Sequence, residues 1–158
     1  MRNILMRLVC SVIALMSLAF ALPAPTCQAQ TQVQKLLDQG AGQMEKQQYD
    51  QAIATFKKAL KEEPNSAAIY NFLGMAYRFK YNQVRNQELK QQEIASFQKA
   101  IEIDPNYWVA LINLGATYYY QGEKAKAAPL FKKALKLNPD HPEKAELEKM
   151  IQEGMKKP

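Results

Sequence analysis

Phe56-Lys-Lys-Ala-Leu-Lys61, Phe97-Gln-Lys-Ala-Ile-Glu102 and Phe131-Lys-Lys-Ala-Leu-Lys136 are three versions of one phrase, and each runs into a proline turn: Glu63-Pro64-Asn65, Asp104-Pro105-Asn106 and Asn138-Pro139-Asp140. The phenylalanines stand 41 and then 34 residues apart, and so do the prolines. Upstream, Gly40, Gly74 and Gly115 are spaced 34 and then 41. The reversed order places seven extra residues between Gly74 and Phe97. A period in this range marks stacked supersecondary units, each of which buries its apolar face only against a neighbour.

Each unit reads as helix–turn–helix. In the second helix of the first unit, Tyr49, Ala52, Ile53, Phe56, Ala59 and Leu60 recur at three and four residues and share one face, while Lys57, Lys58 and Lys61 take the other. Gly40, Gly74 and Gly115 fall inside helices, where glycine costs about 1 kcal/mol relative to alanine. The expectation is a close helix crossing with no Cβ in the way. The prolines cannot continue a helix, so each opens the turn to the next unit. Pro129 falls inside the last unit's second helix, where a kink is expected.

These residues resemble the tetratricopeptide repeat family, whose pattern runs aromatic-x2-Leu-Gly-x2-Tyr, then Ala-x3-Phe, then Pro. The third unit matches through Leu111, Leu114, Gly115, Tyr118, Ala127, Phe131 and Pro139. The second matches through Tyr70, Leu73, Gly74, Tyr77, Phe97 and Pro105, but holds Glu93 where a small alanine is usual. The first keeps Gly40, Ala52, Phe56 and Pro64, with Leu36, Gln39 and Gln43 in the upstream slots. The resemblance covers about residues 33–141. It implies an all-α fold, a right-handed α-solenoid of three helix–turn–helix repeats: residues 33–66, 67–107 with the seven-residue insertion, and 108–141. The insertion is close to two helical turns, enough to lengthen both helices of the middle hairpin and reverse near Asn82 to Asn86. Residues 142–154, with Ala145, Leu147, Met150 and Ile151 as an apolar stripe, read as a C-terminal capping helix; a helix that binds another protein is the alternative.

The same resemblance implies a non-enzymatic scaffold that binds protein or peptide in a concave groove lined by the first helix of each repeat. Projected onto this chain, the groove takes Leu37, Ala41 and Met44, then Asn71, Met75, Arg78 and Phe79, then Ile112, Ala116, Tyr119 and Tyr120. Three consecutive tyrosines cannot share one helix face. Tyr118 takes the core slot, and Tyr119 and Tyr120 turn to the groove or pack on the capping helix. The places where some relatives cage a carboxylate hold Leu37, Ala41, Phe72 and Ile112, which favours an apolar or aromatic extended peptide. Lys80, Arg85 and Lys90 give the middle hairpin a basic tip. Two other readings follow: a module for an anionic surface or envelope polymer through that tip, and self-association with the capping helix of one chain in the groove of another.

Composition narrows the classes. The chain has 158 residues, 47% apolar, enough for one domain with a core. Lys and Arg number 21 against 15 Asp and Glu, and the excess of 6 falls to 4 without Arg2 and Arg7, so the balance does not argue for nucleic acid. Beyond Cys27 there is no cysteine, and His141 is the only histidine, so no zinc site of the usual kind and no cysteine nucleophile are expected. There is no glycine-rich phosphate loop, and Glu62 and Glu63, being adjacent on a helix, point apart. No cofactor, metal or enzymatic activity is expected. Residues 1–29 read as a secretory signal peptide: Arg2 and Arg7, an apolar run Leu8–Leu22, Pro23 and Pro25, then the small-x-small site Cys27-Gln28-Ala29. The expected location is an exported compartment, which for a bacterial chain is the periplasm or extracellular space. An uncleaved anchor and a lipidated Cys27 are the alternatives.

Overall fold

The computed structural model describes residues 25–156. The signal-peptide reading lies outside the described residues except at its last five positions, which begin the first helix. Seven helices follow in order: α1 Pro25–Glu45, α2 Tyr49–Glu62, α3 Ala67–Val84, α4 Gln87–Ile103, α5 Trp108–Tyr120, α6 Lys124–Leu137 and α7 Lys144–Met155. No strand occurs among the described residues. From α2 onward each helix packs against the next along the chain, giving the all-α helical-repeat solenoid.

The repeated glycines and phenylalanines meet. A Cβ built on Gly40 would lie 2.4 Å from a ring carbon of Phe56, one on Gly74 2.6 Å from Phe97, and one on Gly115 2.6 Å from Phe131. All three rings are fully buried. The ring of the second helix therefore fills the space that a side chain on the first would need. Ala52, Ala59, Ala100 and Ala134, buried on the same helices as the rings, keep the approach close.

The turns repeat as faithfully. Glu63, Asp104 and Asn138 end α2, α4 and α6 with φ of −128°, −129° and −131°. Each precedes proline, which pushes it out of the helical region. Within the hairpins, a left-handed residue closes the first helix: Gln47 at φ 58°, Arg85 at 56° and Gly122 at 83°. In the first and third hairpins a second bond locks the reversal, Gln48 N–H to the Gln43 carbonyl at 2.8 Å and Glu123 N–H to the Tyr118 carbonyl at 2.9 Å. Only the third hairpin has glycine at the strained position.

The middle hairpin is the long one: α3 and α4 have 18 and 17 residues, against 13 and 14 for α5 and α6. α3 stops at Arg85, and Asn86 caps α4 by accepting from Glu88 N–H at 2.8 Å. At the other expected irregularity, α6 runs through Pro129, which stands exposed; the helix continues to Leu137.

α7 buries Leu147 and Ile151 against α6, with Met150 half-buried, whereas Ala145, read as part of the stripe, is exposed. A Cβ on Gly154 would lie 2.2 Å from the Lys124 carbonyl oxygen, so α7 crosses the first turn of α6 closely. The Tyr119 hydroxyl and Lys124 Nζ both donate to Glu153 Oε2, at 2.7 Å each. Hydrogen bonds from Lys124 and then Tyr119 hold the Glu153 carboxyl below its ordinary value of 4.5.

Two outcomes are expected. Gly74→Ala should lower stability by about 1–3 kcal/mol through overpacking against a ring that cannot retreat. Gly42→Ala, whose Cβ would meet nothing within 4 Å, should raise it by about 0.5–1 kcal/mol. Urea denaturation of the two variants checks the opposite signs. The depressed Glu153 carboxyl makes its bonds to Lys124 and Tyr119 fully present above 4.5 and progressively lost as pH falls below it. The methyl resonances of Ile151 should therefore report α7 loosening on acidification, and Glu153→Gln should flatten that response.

Candidate functional site

α1, α3 and α5 share one face of the solenoid, and two recesses on it flank α3. The first lies between α1 and α3, has a volume of about 290 Å³, and is lined by Ala41, Met44, Glu45, Phe72, Met75 and Phe79. Phe72 is stacked on Phe56 at 5.6 Å and Phe79 on Tyr49 at 5.8 Å, so both aromatic walls are fixed from behind by the core helix α2. Phe79 remains 40% exposed. Met44 and Met75 are flexible and polarizable, suited to varied apolar side chains.

The second recess is built around a buried charge. Glu93 on α4 is fully buried. Arg78 Nε donates to its Oε1 at 2.8 Å, the Thr117 hydroxyl to the same oxygen at 2.6 Å, and Lys90 Nζ to Oε2 at 2.5 Å. Arg78 also donates to Asn113 Oδ1 at 3.0 Å, to the Asn113 carbonyl at 2.6 Å and to Thr117 Oγ1 at 2.9 Å. Asn113 in turn donates to Asn71 Oδ1 at 2.9 Å. The Arg78 guanidinium lies 4.8 Å from the Phe97 ring centroid and Lys90 Nζ 4.2 Å from that of Tyr81. The network thus ties α3 and α4 to α5. In front of it opens a pocket of about 380 Å³ whose lining includes Arg78, Tyr81, Asn82, Arg85, Lys90, Ala116, Tyr120 and Gln121.

The expected groove residues divide. Met44, Met75 and Phe79 come together in the apolar cleft, and Arg78, Ala116 and Tyr120 in the charged pocket. Ile112, Ala116 and Tyr120 also border a recess of about 200 Å³ against α7, with Glu143, Glu146, Leu147 and Met150 opposite. Leu37 packs on the first core cluster, and Asn71 is buried at 3% exposure, holding Asn113. Tyr119 does not face the groove, because its hydroxyl is bound to Glu153 on α7. Tyr120 does stand free, at 76% exposure.

The basic tip needs correction. Lys80 lies back on α2 in an ion pair with Asp50, and Lys90 is buried on Glu93. Of the three cations only Arg85 stays exposed, over the Tyr81 ring at 5.6 Å. The cause is charge pairing: Lys80 reaches across to Asp50 on α2, and Lys90 reaches Glu93 one turn along its own helix. Tyr81, Asn82, Asn113 and Thr117 were not legible as site residues. Glu93 carried a signal, since a carboxylate in a slot for a small residue requires cations nearby, and Lys90 stands one helical turn before it. Among the described residues, no group of three His, Cys, Asp or Glu is placed to hold a metal ion. His141 is engaged, edge-on to Trp108 at 5.4 Å and accepting from Glu143 N–H at 3.1 Å.

Comparison with known proteins agrees with this architecture. A family model described as the tetratricopeptide repeat matches residues 108–141, and a second, described as a TPR repeat, matches residues 43–78. No curated protein sequence matches the chain significantly. Among solved structures, the TPR domain of Arabidopsis OM64 is 20% identical, with a TM-score of 0.67 over 80% of this chain and 99% of that one. The TPR2B domain of yeast Sti1, in a complex with pHsp70, is 19% identical at 0.65, over 78% and 96%. The first TPR of Spaghetti (RPAP3), bound to the HSP90 peptide SRMEEVD, is 19% identical at 0.65, over 78% and 93%.

Restoring the small residue at position 93 should not stabilise this chain. Glu93→Ala leaves Arg78 and Lys90 without their shared carboxylate, at an expected cost of about 3–5 kcal/mol. Glu93→Ala with Lys90→Leu, which also removes the more buried cation, should recover part of that loss. Thermal denaturation of the two variants beside wild type checks the order.

Proposed function

We propose that this chain, a member of the tetratricopeptide repeat family, is a non-enzymatic interaction module that binds an extended segment of a partner protein on the face of α1, α3 and α5. The observation that carries the reading is the apolar cleft between α1 and α3: Met44, Met75 and a partly exposed Phe79 line one recess, on a wall braced by aromatic stacking. A recess of this make-up suits an apolar side chain of an extended peptide, with its backbone running along the helices. Structures of the same fold that carry HSP90 and pHsp70 partners support the choice of protein as ligand class. The compartment follows from residues 1–29: we propose export, with the mature chain beginning at Gln30.

The test places a photo-crosslinking amino acid at position 75 of the full chain in its own cell, and in parallel at Lys58 on the exposed face of α2. A protein captured from position 75, absent from position 58 and lost on Phe79→Ala, is the expected result. Equal capture from both positions overturns the groove. The same purified material, sequenced from its N-terminus, should start at Gln30; a start at Met1 overturns export by cleavage.

A further inference from the structure

The pocket on the far side of α3 holds more positive charge than its own carboxylate balances. Arg78 and Lys90 both close on Glu93, and Arg85 stands at the mouth with no ion pair among the described residues. Donors are left over as well. Arg78 has engaged four of its five N–H groups. Lys90 has engaged one of three, although its side chain is only 11% exposed. The asymmetry matters because a buried cation without a full set of acceptors is costly. Arg85 is held at φ 56°, a conformation that favours glycine or asparagine. The chain thus keeps a guanidinium at a disfavoured backbone position, over Tyr81 at the mouth of the pocket.

We infer that this pocket receives an acidic side chain, Asp or Glu, from the same peptide whose apolar side chain enters the cleft between α1 and α3. The inference rests on the peptide-binding reading of that face. Met75, in the cleft, and Arg78, in the pocket, are three residues apart on α3 and so are neighbours on its surface. One extended segment therefore reaches both. Arg85 offers a planar fork of donors, and Asn82 and Gln121 offer amides, which suits a carboxylate. A membrane surface would need cations projecting together, but Lys80 is neutralised by Asp50 at the surface and Lys90 is turned inward onto Glu93.

The probe is a positional-scanning library of nonapeptides, acetylated and amidated so that only side chains carry charge, titrated against the full chain. Wild type should select a large apolar residue at one position and Asp or Glu at another, at a fixed separation. Arg85→Ala should weaken the selected peptide about tenfold and leave its Gln-substituted version unchanged, with partial recovery in Arg85→Lys. Apolar selection without acidic selection overturns the anion pocket and leaves the groove standing. Acidic selection that survives Arg85→Ala overturns its placement here. Selection of neither kind overturns the groove reading itself. Binding to phosphatidylglycerol vesicles that is lost in Arg85→Ala, with no acidic selection, assigns the pocket to a membrane and also overturns the proposal.

Discussion

Three aromatic rings lie against three helix backbones in this molecule, and the rest of the architecture depends on that contact. Phe56, Phe97 and Phe131 occupy the volume that a Cβ on Gly40, Gly74 and Gly115 would take. The contact fixes the rotation of each first helix, and so what that helix presents. The residue after each glycine, Ala41, Met75 or Ala116, lines a recess on the shared face. So does the residue five positions after each glycine, Glu45, Phe79 or Tyr120. A constraint in the core thereby selects the positions from which a binding face can be made, while the side chains at those positions remain free to differ.

The second repeat departs from this regularity at Glu93, and the departure is structural in origin. A fully buried carboxylate is costly unless it is paired and hydrogen-bonded, and Glu93 has Arg78, Lys90 and Thr117 around it. Such pairs contribute little net stability compared with apolar packing of the same volume. What this one supplies is connection. Arg78 reaches Asn113 and Thr117 on α5, so the middle and third repeats share directional bonds as well as apolar contact. The same arginine belongs to the lining of the charged pocket, so the group that joins the repeats also sets the charge of the surface between them.

The fold was legible in the sequence because it is written three times. Period, glycine, phenylalanine and proline are local signals, and each maps to one turn or one crossing. The length of the middle hairpin was legible for the same reason, since seven residues without glycine or proline extend helices. The site was legible in part. Helical projection found which side chains leave α1, α3 and α5 on the shared face, and Met44, Met75 and Phe79 do meet there. Projection says nothing about what stands opposite. Lys80 reads as an exposed cation until Asp50 on α2 stands across from it, whereas the pairing of Lys90 with Glu93 lies within α4 and is carried by spacing. Projection of α5 alone aims Tyr119 at the groove, but Glu153 on α7 takes its hydroxyl. Pairings between helices depend on the crossing geometry, which a periodicity does not carry.

α7 has a consequence for assembly. Its inner edge is apolar and its Gly154 sits tight on α6, while Lys144, Glu146, Glu148, Lys149 and Gln152 are exposed on its other sides. A stack of repeats is by construction an open-ended object: an uncovered terminal unit offers a neighbouring molecule the same greasy flank that it offers its own next repeat, and such ends polymerise head to tail. With α7 seated, that flank is taken, and a largely mixed-charge surface with Met155 exposed at its end stands in its place. The apolar flank of α6 is thereby spent on a helix of the same chain.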